Sequence, residues 1–376
     1  MASRRPIVID GRIIFRSQCR GIARALIGWV EKFPCDANDG AVKILIQRNA
    51  VSPFDLTGVE KRVEFVETDL PVVALHRVAA LRHLLNSLDA GVIFSPYHPL
   101  APLAAPCPVV SVVHDCIWEE DPLFAGGRAR QLAFELLTRL ALARVSRVVV
   151  PSLATANAVH RHYPHVATEV VPNGVTFRRA GTKGDAGVEE TRRTFGLPTR
   201  YLLHVGARRP HKNQELLLKV LAELDPSISL VLVGDRDPRV EDNIDQRIQQ
   251  LGLTDRVLAL QKVPDRYLPA VYEAASVFVF PSLIEGYGIP PLEAMAVGTP
   301  VVASAIPAVA EVCRDAATLV SPYDPDGWVE ALNRIFADPA AADTLRSRGI
   351  ELARESTWER GAATLYELLR TSARIL

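Results

Sequence analysis

Short runs of apolar and β-branched residues recur along the chain, with helix-like segments between them. A first series comprises Pro6 to Asp10, Val42 to Ile46, Val92 to Ser95, Pro108 to His114 and Arg147 to Pro151. A second comprises Tyr201 to Gly206, Ser229 to Gly234, Arg256 to Leu260, Val277 to Pro281 and Pro300 to Ala303. Runs such as VVSVV and VFVF lack polar alternation, the pattern of strands covered on both faces, and parallel sheets are covered on both faces by their crossover helices. The pattern predicts an α/β chain in which a doubly wound, Rossmann-like parallel sheet is built twice.

Between the two series, the stretch from Phe177 to Pro198 is rich in Gly, Thr and charge and has few large apolar groups before Phe195. It reads as an interdomain connection. The expected division is residues 1–176, a linker over 177–198, and residues 199–357. The last stretch, 358–376, carries Leu365, Leu368 and Leu369 at helical spacing and is expected to cap one domain or cross back to the first. A length of 376 residues accommodates two domains of the usual ~150 residues.

Charge excludes one class of function. The chain has 43 basic and 43 acidic side chains, so it lacks the cationic excess of a dedicated nucleic-acid binder. Residues 1–180 carry 21 basic and 16 acidic groups, a net of +5 balanced by −5 in the remainder. An anionic acceptor or phospholipid surface would suit the first part. Five cysteines without a CxxC pair argue for a reducing compartment, and no apolar stretch suits a signal peptide or membrane span. The expected location is cytoplasmic, at most peripheral on the inner membrane face. Residues 76–90, with Val78, Leu81, Leu85 and Leu88 among His76, Arg77, Arg82 and His83, could rest on such a surface. A helix packed on its sheet accounts for the same spacing.

In open parallel sheets, ligands bind beyond the carboxyl ends of strands, where helix amino termini point N–H groups outward. Two such sheets facing each other would make one central cleft. The segment FVFPSLIEGYGIPPLEAMAVGTPVVAS, residues 278–304, runs from a buried strand through Glu285, Gly286, Tyr287, Gly288 and Ile289 into a helix with Pro290, Pro291 and Glu293. Glycines permit close backbone approach, proline suits a first helical turn, and the helix start carries a partial positive charge. That arrangement suits a diphosphate. The eight-residue offset makes a glycosidase pair of Glu285 and Glu293 unsuitable, since retaining hydrolases need carboxyls about 5–5.5 Å apart. Separate roles fit better, with Glu285 on a sugar hydroxyl and Glu293 on a ribose diol.

This segment resembles the signature of the retaining glycosyltransferases of family 4, which have the GT-B fold and an E-x7-E motif inside EGFG-x-P-x-LEAMA-x-G-x-PVVAS. It is matched by Glu285 through Ser304, with Tyr287 in place of Phe, and the similarity continues through Glu311. HVGARRPHKNQELLL, residues 204–218, is similar to the family's diphosphate-binding turn, with Gly206 at the strand end and Lys212 at the lysine position. Where relatives often read GR, this chain has Gly206-Ala207, so Arg208 or Arg209 would supply the second cation. Gly21, Ile22, Ala23 and Arg24 resemble the family's GIGR loop, although they suit a plain helix start equally. His114 and Asp115 resemble a histidine–aspartate pair near the transferred sugar, and Pro172-Asn173-Gly174-Val175 resembles a VPNGV hinge. Val263 is included among the donor-side residues.

The resemblance implies a metal-independent enzyme that moves a hexose from a nucleoside diphosphate sugar to a saccharide or lipid-linked acceptor in polysaccharide assembly. A mannose-like sugar on a GDP carrier is favoured, with no further cofactor. It places His114, Asp115, Lys212 and Glu285 in catalysis. Asp235-Arg236-Asp237 imitates a metal-binding DxD but reads as a polar loop. Two other classes compete: a catalytically silent sugar-nucleotide or glycan binder in an assembly complex, and a nicotinamide-dependent dehydrogenase. The second is disfavoured because no GxGxxG follows any strand.

Overall fold

Two units emerge from the contacts of the computed structural model, which describes residues 5–15, 20–35, 41–52, 54–72, 75–97, 101–177, 186–237 and 242–373. Unit one holds the described residues up to Gly174 and again from Thr357 onward, and unit two runs from Val175 to Ser356. The boundary falls inside the Pro172 to Val175 turn. There Val175 N–H donates to the Ser356 carbonyl at 2.9 Å, so the two ends of unit two meet.

Unit one is built on seven parallel strands: β1 (Ile7–Ile9), β2 (Val42–Gln47), β3 (Glu64–Thr68), β4 (Val92–Ser95), β5 (Val109–Val112), β6 (Arg147–Val150) and β7 (Thr168–Val170). Their order is β3-β2-β1-β4-β5-β6-β7. Unit two has six: β8 (Tyr201–Val205), β9 (Ser229–Val233), β10 (Val257–Leu260), β11 (Val277–Phe280), β12 (Val301–Ser304) and β13 (Thr318–Val320), in the order β10-β9-β8-β11-β12-β13. Both sheets reverse their winding in the middle, between β1 and β4 and between β8 and β11. Such switch points open a crevice at the strands' carboxyl ends.

Strand alternation explains why the apolar runs carry no polar positions. In unit two, Tyr201, Leu203, Phe278, Phe280, Val301 and Ala303 join one core cluster. Their neighbours Leu202, Val277, Val279 and Val302 join the cluster on the other face. Each side chain enters one of two cores, as a period of two requires.

The stretch expected to link the domains differs from that expectation. Residues 178–185 lie outside the described ones, but Val188–Phe195 is a helix of unit two. Phe195 meets Tyr267 edge-on at 5.2 Å, Ala186 and Leu197 join the core, and Arg192 donates to the Pro198 carbonyl at 2.7 Å. One aromatic anchor and one well-bonded arginine compensate for a composition poor in apolar groups.

The final helix, Trp358–Ser372, belongs to unit one. Trp358 packs edge-on to Trp29 at 6.2 Å, and Tyr366 lies 5.2 Å from Phe33. The close approach depends on small residues. A Cβ on Gly28 would lie 2.4 Å from the Trp358 ring, and one on Gly361 would lie 2.3 Å from the Pro172 carbonyl. The segment 76–90 contains the helix Val78–Ser87, which buries Leu81 and Leu85 against the sheet, with Val78, Leu84 and Leu88 packed on the same cluster.

Candidate active site

In unit two, the loops after β8 and β11 emerge side by side at the switch point. After β8 come Gly206, a tight turn over Pro210–Lys212 and the helix Gln214–Glu223. After β11 come Pro281, Glu285 and the helix Ile289–Ala296. Backbone and side-chain bonds join these loops: Leu283 N–H donates to the His211 carbonyl at 2.8 Å, and Asn213 Nδ2 to the Pro281 carbonyl at 3.2 Å. Lys212 Nζ then donates to Glu285 Oε1 at 2.6 Å. Two residues 73 positions apart, each read separately from the sequence, form one ion pair. Their side chains are 16% and 11% exposed, and the ammonium lies 5.3 Å from the Phe280 ring centroid. So dry a pair has a strong local field.

Beside it, Gly288 turns the chain at φ 113°, a conformation that strains any side chain larger than hydrogen. The helix that follows has Pro290 in its first turn, and among the described residues no side chain caps its start. Gly286 and Gly288 are buried, while Tyr287 and Ile289 are half-buried, with Tyr287 packed on the core. One turn further on, Glu293 is held in that core, where the Tyr272 hydroxyl donates to its Oε2 at 2.8 Å and Thr299 Oγ1 donates to the Tyr272 carbonyl at 2.7 Å. Val263 is a buried member of the same cluster.

The arginines behave differently from the lysine. Arg208 is buried and donates to Asp245 Oδ1 at 2.7 Å and Asp242 Oδ2 at 3.3 Å, and Arg209 Nε lies 2.9 Å from Asp237 Oδ2. Arg236 joins Asp242 and Asp245 as well. The Asp235-Arg236-Asp237 loop is therefore bound to the basic turn by ion pairs. Gly206 lies between the two systems: its N–H donates to the Val233 carbonyl at 2.8 Å, and an added Cβ would stand 3.0 Å from His204 Nε2 and 3.6 Å from Lys212 Cδ.

His204, which begins the HVG that precedes the basic turn, is a further residue of this site beyond those expected from the sequence. It is fully buried, stacked on Phe280, and its Nδ1 donates to the Val279 carbonyl at 3.1 Å. Nε2 is then left as an acceptor without a hydrogen-bond partner among the described residues. Burial, reinforced by the charge of Lys212, holds this imidazole down to about 4, so it stays neutral beneath the lysine.

In unit one, His114 and Asp115 follow β5. His114 Nε2–H donates to the Pro96 carbonyl at 2.8 Å, and desolvation lowers the ring to about 4. Asp115 Oδ1 accepts from the Ile117 N–H at 3.1 Å. Gly21 and Arg24 lie in the first turns of the helix Arg20–Val30, where Ala23 is buried. At this unit's switch point, Asp10 and Arg12 form a two-pronged pair at 2.7 Å on each arm, and Arg12 also donates to the Leu70 and Pro71 carbonyls.

Beyond Asp115, Glu119 is buried and accepts from the Tyr163 hydroxyl at 2.7 Å. Burial pushes its carboxyl up to about 7, against the lowering effect of that bond. A raised acid contributes its stability in full below the ordinary value of 4.5 and loses it as pH rises through about 7. Glu119→Gln is expected to remove about 3 kcal/mol of pH dependence across that window. Thermal midpoints measured from pH 4.5 to 8 check this, and an unchanged slope would count against the assignment.

Two family models match the chain. Residues 42–179 match Glycosyltransferase Family 4, and residues 188–355 match Glycosyl transferases group 1. The O-antigen chain mannosyltransferase RfbU of Salmonella typhimurium is 38% identical over 141 residues, 38% of this chain and 40% of that protein. A D-inositol 3-phosphate glycosyltransferase of Salinispora arenicola is 31% identical over 265 residues, covering 65% of this chain and 59% of the relative. The chain thus spans about half the length of the curated relatives it matches. HepE of Anabaena, solved with UDP and glucose, superposes with a TM-score of 0.76 at 20% identity over 97% of this chain and 99% of its own, a likeness of fold. With both models matched across most of its length on two parallel-sheet units, the chain belongs to glycosyltransferase family 4, with the GT-B fold.

Proposed function

We propose that the chain is a retaining glycosyltransferase that moves a hexose, mannose-like by preference, from a nucleoside diphosphate sugar to a saccharide or lipid-linked acceptor in polysaccharide assembly. The observation that carries this reading is the Lys212–Glu285 pair, buried at the β8–β11 switch point beside the helix start behind Gly288. Lys212 and the helix start neutralise the departing diphosphate as preorganised positive charge. Glu285 aligns the lysine and accepts from a sugar hydroxyl. Glu293, fixed by Tyr272, holds the ribose.

As the sugar–oxygen bond breaks, an oxocarbenium-like centre develops, and the acceptor hydroxyl attacks from the face the diphosphate leaves. A donor phosphate oxygen takes the acceptor proton, so no protein nucleophile is needed. His114 and Asp115 in unit one contact the sugar or position the acceptor. The mannosyltransferase among the relatives supports the sugar preference, and a GDP carrier is part of the same reading.

The test couples two measurements. A thermal-shift screen across sugar nucleotides should show one donor stabilising the chain well above the others. That donor should then release nucleoside diphosphate only when an acceptor saccharide is present. Stabilisation without release, across a panel of saccharide and lipid-linked acceptors, would leave a silent binder, and absence of stabilisation by any sugar nucleotide would overturn the site.

A further inference from the structure

Past Gly206 and Gly234, β8 and β9 continue side by side into their loops. Arg208 and Arg236 pair there in a parallel bridge, and the Arg208 N–H donates to the Asp235 carbonyl at 3.0 Å. Residues paired in a parallel ladder project to the same face, so the two guanidiniums arrive together. Each meets the same two carboxylates. Arg208 Nη1 donates to Asp245 Oδ1 at 2.7 Å and Asp242 Oδ2 at 3.3 Å, and Arg236 pairs with both, its Nε 3.6 Å from Asp242 Oδ2. Asp242 is fixed in turn by its Oδ1, which accepts the Ile244 N–H at 3.1 Å at the start of the helix Ile244–Gln250. The Arg208 and Asp242 side chains are only 6% and 10% exposed. The same helix also reaches the far side of the basic turn. Arg247 Nη2 donates at 3.1 Å to Oε1 of Glu215, in the first turn of the helix Gln214–Glu223. Lys212 thus lies between two ion-paired attachments to one short helix, at Arg208 before it and Glu215 after it.

We propose that Arg208 is a positioning residue and not a diphosphate ligand: with Arg236, Asp242 and Asp245 it clamps the basic turn to the helix Ile244–Gln250 and so fixes where Lys212 stands. Direction decides between the two roles. In the sheet order, β9 and β11 lie on opposite sides of β8. The crevice opens between β8 and β11, and Lys212 reaches Glu285 in the loop after β11. Arg208 turns the other way, to carboxylates that follow β9. To reach a phosphate in the crevice it would have to leave both of them, and Asp242 would then keep a nearly buried charge with one of its two cations gone. Held in place, the same guanidinium does something else. A cation that acts on a developing charge must stand within a fraction of an ångström of its working position, and misplacement by about 1 Å can cost about 100-fold in rate. Two strand-end arginines locked to two helix-start carboxylates supply that rigidity. The inference rests on the function proposed above and concerns how its cation is held.

The test compares Arg208→Ala and Asp245→Asn with wild type in the full chain, by donor affinity and single-turnover transfer, and repeats both substitutions in a Lys212→Ala background. The donor is GDP-mannose or, where the thermal-shift screen selects another, that sugar nucleotide. Arg208→Ala is expected to slow transfer about 10- to 30-fold, with the donor Kd changed by less than about threefold. Asp245→Asn keeps the side chain's shape at a position 47% exposed and should slow transfer about three- to tenfold, again with little change in Kd. Because both act through the lysine, neither should slow the Lys212→Ala chain further by more than about twofold, whereas a residue that only stabilises the fold would slow both backgrounds alike. A diphosphate ligand behaves in the opposite way: freeing Arg208 from Asp245 would tighten donor binding, and removing Arg208 would weaken it about tenfold or more and add to the Lys212→Ala loss. Any of these results overturns the proposal. Should Arg208→Ala fail to fold, Asp245→Asn decides alone, by the direction of its effect on donor affinity and by its additivity with Lys212→Ala. Variants that match an active wild type overturn this inference by itself, and a wild type that binds no sugar nucleotide overturns the proposed function and this inference with it.

Discussion

Lys212→Ala is expected to slow transfer by about 10²- to 10³-fold with donor affinity much less affected. The negative charge to be stabilised grows as the diphosphate departs, so a cation fixed beside it acts mainly on the transition state. Its removal also leaves the Glu285 carboxylate, 11% exposed, without its 2.6 Å counter-charge and close to the leaving group. Repulsion then adds to the lost attraction. Lys212→Ala/Glu285→Gln should accordingly recover part of the rate. Glu293→Ala should show the opposite split, weakening donor binding about 10- to 100-fold with a smaller effect on kcat, because the ribose contact proposed for it is the same before and after the reaction. Steady-state kinetics with a single-turnover check separate the two, and unchanged kinetics in both variants would argue against the site.

Trp358→Ala should cost about 3–5 kcal/mol of stability in unit one. The indole is 2% exposed, stands edge-on to Trp29, and fills the space that Gly28 leaves by having no side chain. Its truncation opens a cavity between the final helix and the helix that carries Gly28 and Trp29. Set against a usual total of about 5–15 kcal/mol, the loss threatens the fold of that unit. Urea unfolding would measure it, and a loss below about 1 kcal/mol would mean that the final helix is not anchored there.

The central strands were readable because both their faces are buried and their runs are unbroken. Three strands lie outside the apolar runs of the sequence: β3 (EFVET), β7 (TEV) and β13 (TLV). All three lie at the outer edge of a sheet and have half-exposed positions, so their sequence carries polar residues and no apolar run. The helix Val188–Phe195 was hidden for a related reason, since one phenylalanine carries most of its anchoring. In the candidate site, Lys212 and Glu285 were legible because each follows a central strand. Their meeting depends on β8 and β11 being neighbours, which no local pattern encodes. Arg208 points the same lesson from the other side: its engagement with Asp242 and Asp245 depends on where a loop after a different strand returns. Nothing in the sequence separates His204 from the other strand residues, because its closeness to Gly206 is set by the fold of the turn after β8.

The hydrogen bond between Val175 and Ser356 makes unit two a cassette. Its entry and exit are adjacent, so residues 175–356 can be excised as one autonomous piece, rejoined through a new start elsewhere on its surface, or exchanged for the equivalent piece of a relative. On the function proposed above, a chimera of this kind would carry its nucleotide preference with the insert and its acceptor with the host. Specificity in this architecture can thus evolve by replacement of one half at a time.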